Sequence, residues 1–325
     1  MQTVVTGGAG FIGSHLVDAL VRRGDRVVCV ERPGAVAHWI PTDHVDFRAT
    51  GIADPALLVE VFGGTDVIFH LAGLTCARRP EEFDRVNVEG TANVLRAAAM
   101  LDPAPHVVFL SSLAATGPCQ NGERLNPSSV PYPLSAYGRS KLQAEAVTHA
   151  FADRVPITVV RLPAVYGPRE RGILAMFRLI NRGIAITFGG WDRELSLIYV
   201  TDVVQGLLRC TEVRRTVGHT YILSHPEPVT WRAFAWAVAH ALGRSPLLIS
   251  IPKMAGAIIG TLVECGAGIT RHAAIVNRDK IREMAQERWV CDPSASERDL
   301  GFAAAYSVPR GVAETAAWYQ EARWL

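Results

Sequence analysis

Short β-branched segments alternate with longer segments of helical periodicity along the first half of the chain. Apolar residues recur three and four positions apart between Phe11 and Gly24, which is typical of a helix with one buried face. This alternation predicts an α/β fold built on a doubly wound parallel sheet. The predicted strands are Gln2–Thr6, Arg26–Val30, Val45–Arg48, Asp66–His70, His106–Ser111 and Ile157–Arg161, and the later helices are Asp54–Phe62, Glu81–Met100 and Ser135–Phe151.

Proline and glycine become frequent after Arg161, and the regular alternation is lost. We therefore predict a main-sheet domain over residues 1–164 and a smaller, mostly helical substrate-binding unit over residues 165–325. Some segments of the second unit are expected to return to the main sheet. Its predicted strands are Ala185–Phe188, Leu195–Ile198 and Thr220–Leu223, and its predicted helices are Ile173–Asn181, Asp202–Cys210, Trp231–Leu242, Lys253–Glu264, Ser294–Leu300 and Gly311–Glu321.

Three glycines separate the first strand from the first helix. Gly7 permits a tight turn, Gly10 removes a side chain where a phosphate must approach, and Gly13 allows close packing of the helix. A pyrophosphate bound there would lie at the positive end of the helix. The spacing G-x-x-G-x-x-G departs from the usual G-x-G-x-x-G, and a glycine turn without a ligand is the alternative interpretation.

Composition limits the classes of function. The 325 residues carry a net charge of +2, which gives no general case for a nucleic-acid partner. The six cysteines show neither a C-x-x-C pair nor a Cys/His metal pattern, so we expect reduced thiols, no metal and a cytoplasmic location. A strand that begins at Gln2 leaves no room for a signal peptide. The apolar run Met254–Val263 is too short for a membrane span, which needs about 20 residues.

Tyr137 and Lys141 form the sharpest chemical signal. Four positions apart, they share one face of a predicted helix. A neighbouring ammonium lowers the pKa of a phenol, so such a pair can exchange a proton with a substrate hydroxyl. Ser112 ends a predicted strand, at the edge where open α/β sheets bind ligands, and its hydroxyl can hold the same oxygen. A surface Tyr–Lys pair and an ordinary turn serine are the structural alternatives.

Together these features resemble the extended short-chain dehydrogenase/reductases, in the NAD-dependent epimerase/dehydratase group. The resemblance extends from Thr6 to Asp202 and rests on several motifs. They are T-G-G-A-G-F-I-G at 6–13, Asp54 after the third strand, His70-Leu-Ala-Gly73, Asn87-Val-Glu-Gly-Thr-Ala-Asn93, Ser111-Ser112, Tyr137 with Lys141, Arg161-Leu-Pro-Ala-Val-Tyr-Gly-Pro168 and Ile198-Tyr-Val-Thr-Asp202.

The resemblance implies a Rossmann fold over residues 1–164 that binds NAD(P), with Ser112, Tyr137 and Lys141 as the catalytic residues. It also implies, by analogy, a homodimer formed through Glu81–Met100 and Ser135–Phe151. The cofactor contacts predicted on this basis are Gly7, Gly10, Phe11, Ile12, Gly13, Glu31, Arg32, Ile52, Asp54, Leu71, Ala72, Gly73, Asn87, Ser111, Tyr137, Lys141 and Pro163.

Glu31 and Arg32 indicate different cofactors. A carboxylate at the end of the second strand binds the adenosine ribose hydroxyls and repels a 2′-phosphate, so Glu31 favours NAD. Arg32 is able to pair with that phosphate and leaves NADP as the alternative. An unpaired carboxylate beside a phosphate is costly, and we therefore predict NAD.

Departures from the family pattern reduce the number of candidate reactions. Leu113 and Ala114 occupy positions where the dehydratases carry acid/base residues, which argues against a sugar dehydratase. Ala164 and Leu195 are apolar at positions that usually contact a diphosphate sugar. The segment Leu195–Asp202 and the apolar run Met254–Val263 look more like the 3β-hydroxysteroid dehydrogenase-like branch, although core packing also explains the run.

We therefore predict reversible hydride transfer between a nicotinamide and a small-molecule secondary alcohol or ketone. In this reaction Tyr137 exchanges the hydroxyl proton, Lys141 lowers the pKa of Tyr137 and holds the ribose, and Ser112 fixes the oxygen. The first alternative is an NDP-sugar 4-epimerase that retains NAD between half-reactions. A second alternative, a redox-sensing module that binds NAD without catalysis, has no need of the three catalytic residues.

Overall fold

The computed structural model describes residues 1–120, 122–252 and 278–325. Its strands are β1 (Gln2–Thr6), β2 (Arg26–Val30), β3 (Val45–Arg48), β4 (Val67–His70), β5 (His106–Ser112), β6 (Ile157–Leu162), β7 (Ala164–Tyr166), β8 (Ile184–Phe188), β9 (Glu194–Leu195), β10 (Leu197–Tyr199), β11 (Thr220–Ile222), β12 (Val229–Thr230), β13 (Leu247–Ile251) and β14 (Arg288–Trp289).

The helices of the described residues follow the strands of the main sheet and then dominate the C-terminal part. They are α1 (Phe11–Arg23), α2 (Pro55–Phe62), α3 (Pro80–Phe83), α4 (Gly90–Ala98), α5 (Leu113–Thr116), α6 (Ala136–Ala150), α7 (Leu174–Asn181), α8 (Val200–Glu212), α9 (Trp231–Ala241), α10 (Arg278–Met284), α11 (Ser294–Leu300) and α12 (Val308–Glu321), with a π-helical segment Asp84–Glu89 between α3 and α4 and a short 3₁₀ helix Arg214–Thr216.

Seven parallel strands form the main sheet, in the order β11-β6-β5-β4-β1-β2-β3. The chain winds from β1 towards β2 and β3 on one side and from β4 towards β6 on the other. The carboxyl ends of β1 and β4, at Thr6 and His70, therefore border the crevice in which open α/β sheets bind ligands. The predicted doubly wound parallel sheet is confirmed.

Helices cover both faces of the sheet. Leu16 and Leu20 of α1 and Leu207 of α8 pack on one face. Phe62 of α2 and Val94 of α4 pack on the other face. Burial of each such side chain contributes about 1.5–3 kcal/mol, which explains why the strand interiors are apolar on both sides.

A third cluster forms the core of the C-terminal part. It joins Phe177 of α7, Leu195 of β9, Phe234 of α9 and Tyr319 of α12. Short strands accompany the predicted helices here, among them the parallel pair of β8 and β13, which the sequence pattern did not predict in full. β11 pairs with β6 in the main sheet, so this segment returns to that sheet, while the boundary near residue 165 stays a prediction.

Two predicted elements differ from the structure. The predicted strand Leu195–Ile198 is two strands in different sheets, because β9 pairs with β12 and β14 whereas β10 pairs with β7. The predicted helix Glu81–Met100 begins at Pro80, ends at Ala98 and passes through the π-helical segment. The predicted helix Lys253–Glu264 and the apolar run Met254–Val263 lie outside the described residues. Among the helices that are described, none is both long and apolar enough to cross a membrane.

Candidate active site

The glycine loop has the geometry of an anion site. Gly7 adopts a φ of +75°, and a Cβ atom there would lie 2.7 Å from the backbone nitrogen of Ala72. A Cβ at Gly13 would lie 2.1 Å from the Gly7 carbonyl oxygen, so only glycine allows α1 to pack this closely on the loop. Gly10 caps α1 without a side-chain hydrogen bond, and the first turn holds no acidic residue. The first amides of α1 therefore face the loop with a partial positive charge.

Glu31 lies directly beside this loop. One carboxylate oxygen accepts a 2.7 Å hydrogen bond from the backbone nitrogen of Ala9, between the glycines. Burial raises the pKa of Glu31, while the amides of Ala9 and Arg32 and the charge of Arg32 lower it. Arg32 itself is exposed. The acidic side chain at the end of β2 is thus tied to the loop that is predicted to hold the pyrophosphate.

Ile52 and Asp54 have clear structural contacts. Asp54 is the N-cap of α2, and its side chain accepts a 2.9 Å hydrogen bond from the backbone nitrogen of Ala56. Ile52 packs so closely on Gly90 that a Cβ atom there would lie 2.5 Å from its Cδ1. The cofactor contacts predicted for both residues are not tested by these contacts and stay predictions.

The loop that follows β4 converges with the catalytic helix α6. The buried Asn87 side chain binds both backbone polar groups of Leu74, at 2.7 and 3.0 Å, and donates a 2.9 Å hydrogen bond to Ser140. A Cβ atom at Gly73 would lie 3.4 Å from Lys141 Nζ. Leu71, Ala72 and Gly73 therefore form one wall that contacts both the glycine loop and Lys141.

Ser112 and Tyr137 are brought together as predicted. Ser112 ends β5, and its Oγ accepts a 3.1 Å hydrogen bond from the backbone nitrogen of Ala114, which leaves its hydroxyl proton to donate. Burial raises the pKa of Tyr137 to about 12, a hydrogen bond with Ser112 opposes this rise, and the charge of Glu283 adds to it. The Phe83 ring lies 6.0 Å from the Tyr137 ring, centre to centre.

Lys141 is buried behind this pair. Its Nζ donates a 2.7 Å hydrogen bond to the Leu110 carbonyl oxygen and lies 5.0 Å from the centre of the Phe109 ring. Burial lowers the pKa of Lys141 to about 8, against the opposing charge of Glu145. The sequence predicted that Lys141 lowers the pKa of Tyr137, but in this structure the lowering contact is the hydrogen bond with Ser112.

Glu145 is a site residue that the sequence reasoning missed. Its carboxylate binds the buried Arg161 guanidinium through two hydrogen bonds of 2.9 and 2.7 Å and accepts a 2.5 Å hydrogen bond from Ser111. Lys141 and Glu145 are four positions apart, as are Tyr137 and Lys141, and this repeated spacing was the signal available in the sequence. Ser111 therefore helps to join β5 to α6.

Helix α10 contributes two carboxylates that the sequence reasoning also missed. Glu283 accepts a hydrogen bond from the hydroxyl of Ser135, the N-cap residue of α6. Asp279 accepts a 2.8 Å hydrogen bond from the backbone nitrogen of Ala136. Both acceptors lie at the N-terminus of the helix that carries Tyr137.

His70 is enclosed by the same elements. Its two ring nitrogens contact Thr6 at 2.7 Å and Thr91 at 3.0 Å. Burial, with a smaller effect of the Lys141 charge, lowers the pKa of His70 to about 3. A neutral ring held between two hydroxyl groups has a structural role here.

Positions that usually recognise a diphosphate sugar are apolar or already engaged. Leu195 lies in the core of the C-terminal part, and Ala164 begins β7. Arg193 is buried and donates to the Gly190 carbonyl at 2.9 Å, to the Thr187 hydroxyl at 2.8 Å and to the Met284 carbonyl. Arg169 pairs with Asp18 at 2.8 Å through Nη2, while its buried Nη1 has no hydrogen-bond partner among the described residues. Arg271 lies outside the described residues.

A glycine loop at the start of a helix, an acidic residue at the end of β2 and a Ser–Tyr–Lys set on a parallel sheet define a dinucleotide-dependent short-chain dehydrogenase/reductase enzyme. A family model described as the NAD dependent epimerase/dehydratase family matches residues 3–223, and the chain belongs to that family. The predicted cofactor, NAD, is the one that the family description names.

Two curated relatives align over nearly the whole chain. The ceramide reductase of Caulobacter vibrioides is 29% identical over 333 residues, 99% of this chain and 95% of its own length. A 4-hydroxy-2-methyl-3-oxo-4-farnesyl-3,4-dihydroquinoline-1-oxide ketoreductase of Stigmatella aurantiaca is 29% identical over 327 residues, 96% of this chain and 95% of its own. Among solved structures, MoeE5 in complex with UDP-glucuronic acid and NAD is 26% identical with a TM-score of 0.77, over 99% of this chain and 100% of its own.

Proposed function

We propose that this enzyme is an NAD-dependent ketone reductase, reversibly an alcohol dehydrogenase, that acts on an apolar, lipid-like small molecule. The proposal places the chain in the 3β-hydroxysteroid dehydrogenase-like part of its family, as the sequence predicted. The observation that carries it is the replacement of diphosphate-binding side chains by Leu195 and Ala164, together with the three hydrogen bonds that Arg193 makes to other parts of the protein.

The residues present fit NAD. The amides at the start of α1 bind the pyrophosphate, and Gly7, Gly10 and Gly13 leave it room while Phe11 and Ile12 begin the helix. Glu31 binds the adenosine ribose, and its charge opposes the 2′-phosphate that Arg32 would attract. When bound, NAD supplies the group that gives or takes the hydride. The other contacts with NAD are assigned to the wall Leu71–Gly73 and to Asn87, Ser111, Pro163, Ile52 and Asp54.

The proton follows a short path in the direction of reduction. With a pKa of about 12, Tyr137 is protonated at neutral pH and is able to give its proton to the carbonyl oxygen of a ketone. Ser112 donates a hydrogen bond to the same oxygen. The hydrogen bond with Ser112 stabilises the phenolate that remains. Lys141, whose pKa of about 8 keeps it mostly protonated at neutral pH, holds the cofactor ribose.

The relatives support a lipid-like substrate. The two relatives described above are named as reductases, one of a ceramide and one of a farnesyl-bearing ketone. Such substrates have long hydrocarbon parts and no diphosphate, which agrees with apolar side chains at the positions discussed above. The buried Leu195 offers no partner for a charged group.

The alternative function is an NDP-sugar 4-epimerase, and the complex of MoeE5 with UDP-glucuronic acid and NAD favours it. The same Ser112, Tyr137 and Lys141 would then remove and return a proton and NAD would stay bound. The redox-sensing alternative gains no support, because a sensor has no use for a complete Ser–Tyr–Lys set. We retain the homodimer and the cytoplasmic location as further parts of the proposal.

Cofactor turnover distinguishes these functions. The enzyme is supplied with NADH and a long-chain 3-ketone, and in a second reaction with NAD and UDP-glucose, while absorbance follows NADH. We expect steady NADH consumption with the ketone and loss of that consumption in Tyr137→Phe. Interconversion of UDP-glucose and UDP-galactose without net NADH change would instead establish the epimerase.

A further inference from the structure

Helix α7 has one buried face and one basic face. Leu174, Phe177 and Ile180 are buried in the C-terminal core. The outer face borders an open groove of about 390 Å³, whose lining residues are Arg171, Leu174, Ala175, Arg178, Leu179 and Arg182. Three guanidinium groups therefore lie along a groove whose other side chains are all apolar.

An exposed apolar strand pair continues this groove. Arg182 follows α7, and two residues later Ile184 begins β8. Leu247 pairs with Ile184, and its backbone nitrogen donates a 2.9 Å hydrogen bond to the Gly183 carbonyl. Leu247 is 67% exposed, and Ile184 and Ile249 are each 37% exposed. We call these three residues with Arg171, Arg178 and Arg182 the α7–β13 surface.

The charge of this region is one-sided. Residues 171–191 contain three arginines and no aspartate or glutamate, although Glu170 and Asp192 flank this stretch. Arg232 of α9 is paired with Asp192 at 2.9 Å and adds no net charge. Arg178 donates to the Trp324 carbonyl, and the Arg171 guanidinium lies 4.9 Å from the Trp324 ring centre. Both contacts are to neutral groups, so they leave the positive charges uncompensated.

Neighbouring charged residues connect one end of this surface with α10. Arg171 follows Glu170, and the charge of Lys280 lowers the pKa of Glu170, which burial raises. Lys280 also lies 3.5 Å from Glu283, the acceptor of the Ser135 hydroxyl. A chain of neighbouring charges therefore leads from Tyr137 through α10 to the edge of the groove.

We propose that the α7–β13 surface docks on an anionic phospholipid bilayer, from which the enzyme takes its substrate. At a bilayer interface the lipid phosphates would bind the guanidinium groups. The acyl chains would contact Leu247, Ile249 and Ile184. The choice of a bilayer rests on the proposed lipid-like substrate, because a long-chain ketone resides in membranes.

Vesicle sedimentation with the full chain tests this docking without substrate or cofactor, so its outcome is independent of the redox assay. Vesicles of phosphatidylglycerol and phosphatidylcholine in equal parts are compared with phosphatidylcholine alone. We expect binding to the anionic vesicles that weakens with salt, and at least about tenfold weaker binding for the variant R178E/R182E.

The matched control is the variant R26E/R298E, which makes the same charge change at two exposed arginines on other elements. We expect it to bind anionic vesicles like the parent, and all variants to reduce a soluble short-chain ketone equally well. The inference fails if the parent does not bind anionic vesicles, or if R178E/R182E binds as the control does. It also fails if L247S abolishes self-association in solution rather than vesicle binding, since the surface would then contact a second copy.

Discussion

The Ser135 hydroxyl donates a hydrogen bond to the Glu283 carboxylate, although 148 positions separate the two residues. Ser135 Oγ also accepts a 3.0 Å hydrogen bond from the backbone nitrogen of Gly138 and so caps α6. Together with Asp279, Glu283 places two carboxylates at the positive end of this helix. The C-terminal part thereby influences the proton affinity of Tyr137, which lies two residues beyond the cap.

The variant Glu283→Gln tests this influence, because it keeps a hydrogen-bond acceptor for Ser135 and removes the charge. Glu283 faces the Lys280 ammonium on its own helix and the neutral phenol of Tyr137 on α6. Loss of the negative charge lowers the pKa of Tyr137 from about 12, so the alkaline limit that Tyr137 sets moves down by roughly 0.5–1 unit, while the limit near pH 8 that Lys141 sets stays in place. The measurement is the pH profile of kcat/KM, and an unmoved profile would contradict the effect. The variant Asp279→Asn serves as the comparison, because it also removes a negative charge but keeps a side-chain oxygen that accepts the hydrogen bond from Ala136 N.

The variant Gly13→Ala tests whether the glycine loop binds NAD. Alanine at this position forces a Cβ atom against the backbone of Gly7 and Gly8, so we expect NAD to bind at least about tenfold more weakly. Gly63→Ala is the matched control, because φ is −53° there and the nearest atom, Glu60 O, is 3.5 Å from the added carbon. Calorimetric titration measures both, and equal affinities in the two variants would show that the loop does not bind NAD.

Glu31 sets the choice of cofactor. Glu31→Gln leaves an acceptor for the Ala9 amide and removes the charge that opposes a 2′-phosphate. We expect the ratio of NAD to NADP affinity to fall by about tenfold, or about 1.4 kcal/mol. If the parent already prefers NADP, Arg32 and not Glu31 governs the site.

Arg161 and Glu145 form a buried ion pair behind the catalytic helix, with side chains 7% and 4% exposed. Arg161→Met leaves the carboxylate without its guanidinium, and we expect the free energy of unfolding to fall by about 3–5 kcal/mol. Arg310→Met breaks an exposed pair with Glu314 and should cost at most about 1 kcal/mol. Urea denaturation compares the two, and equal losses would show that burial does not decide the effect.

The sequence predicted those features that depend on local pattern. Apolar interiors and helical periodicity identify the main sheet and its helices, and the spacings of Gly7–Gly13 and of Tyr137 with Lys141 follow from chain geometry alone. The division of Leu195–Ile198 between two sheets was not predictable in this way. Ser196 between them donates its backbone N–H to Trp289, and its hydroxyl accepts from Cys291, both far along the chain.

Side-chain partners were the less predictable part of the site. Glu283 and Asp279 reach Ser135 and Ala136 from more than 140 positions away, and no periodicity records such a contact. The protonation of Lys141 also depends on the folded structure, because burial beside Phe109 and Leu110 lowers its pKa. Only Glu145 carried a local signal, through its spacing from Lys141.

Transfer of deuterium from labelled NADH to a ketone is a direct test of the proposed reductase activity. The enzyme is incubated with NADH deuterated on the reactive face and a long-chain ketone, and the product alcohol is analysed by mass spectrometry. We expect one deuterium per alcohol molecule, with product formation lost in Tyr137→Phe. Recovery of the NADH with its deuterium retained and no alcohol formed would contradict it.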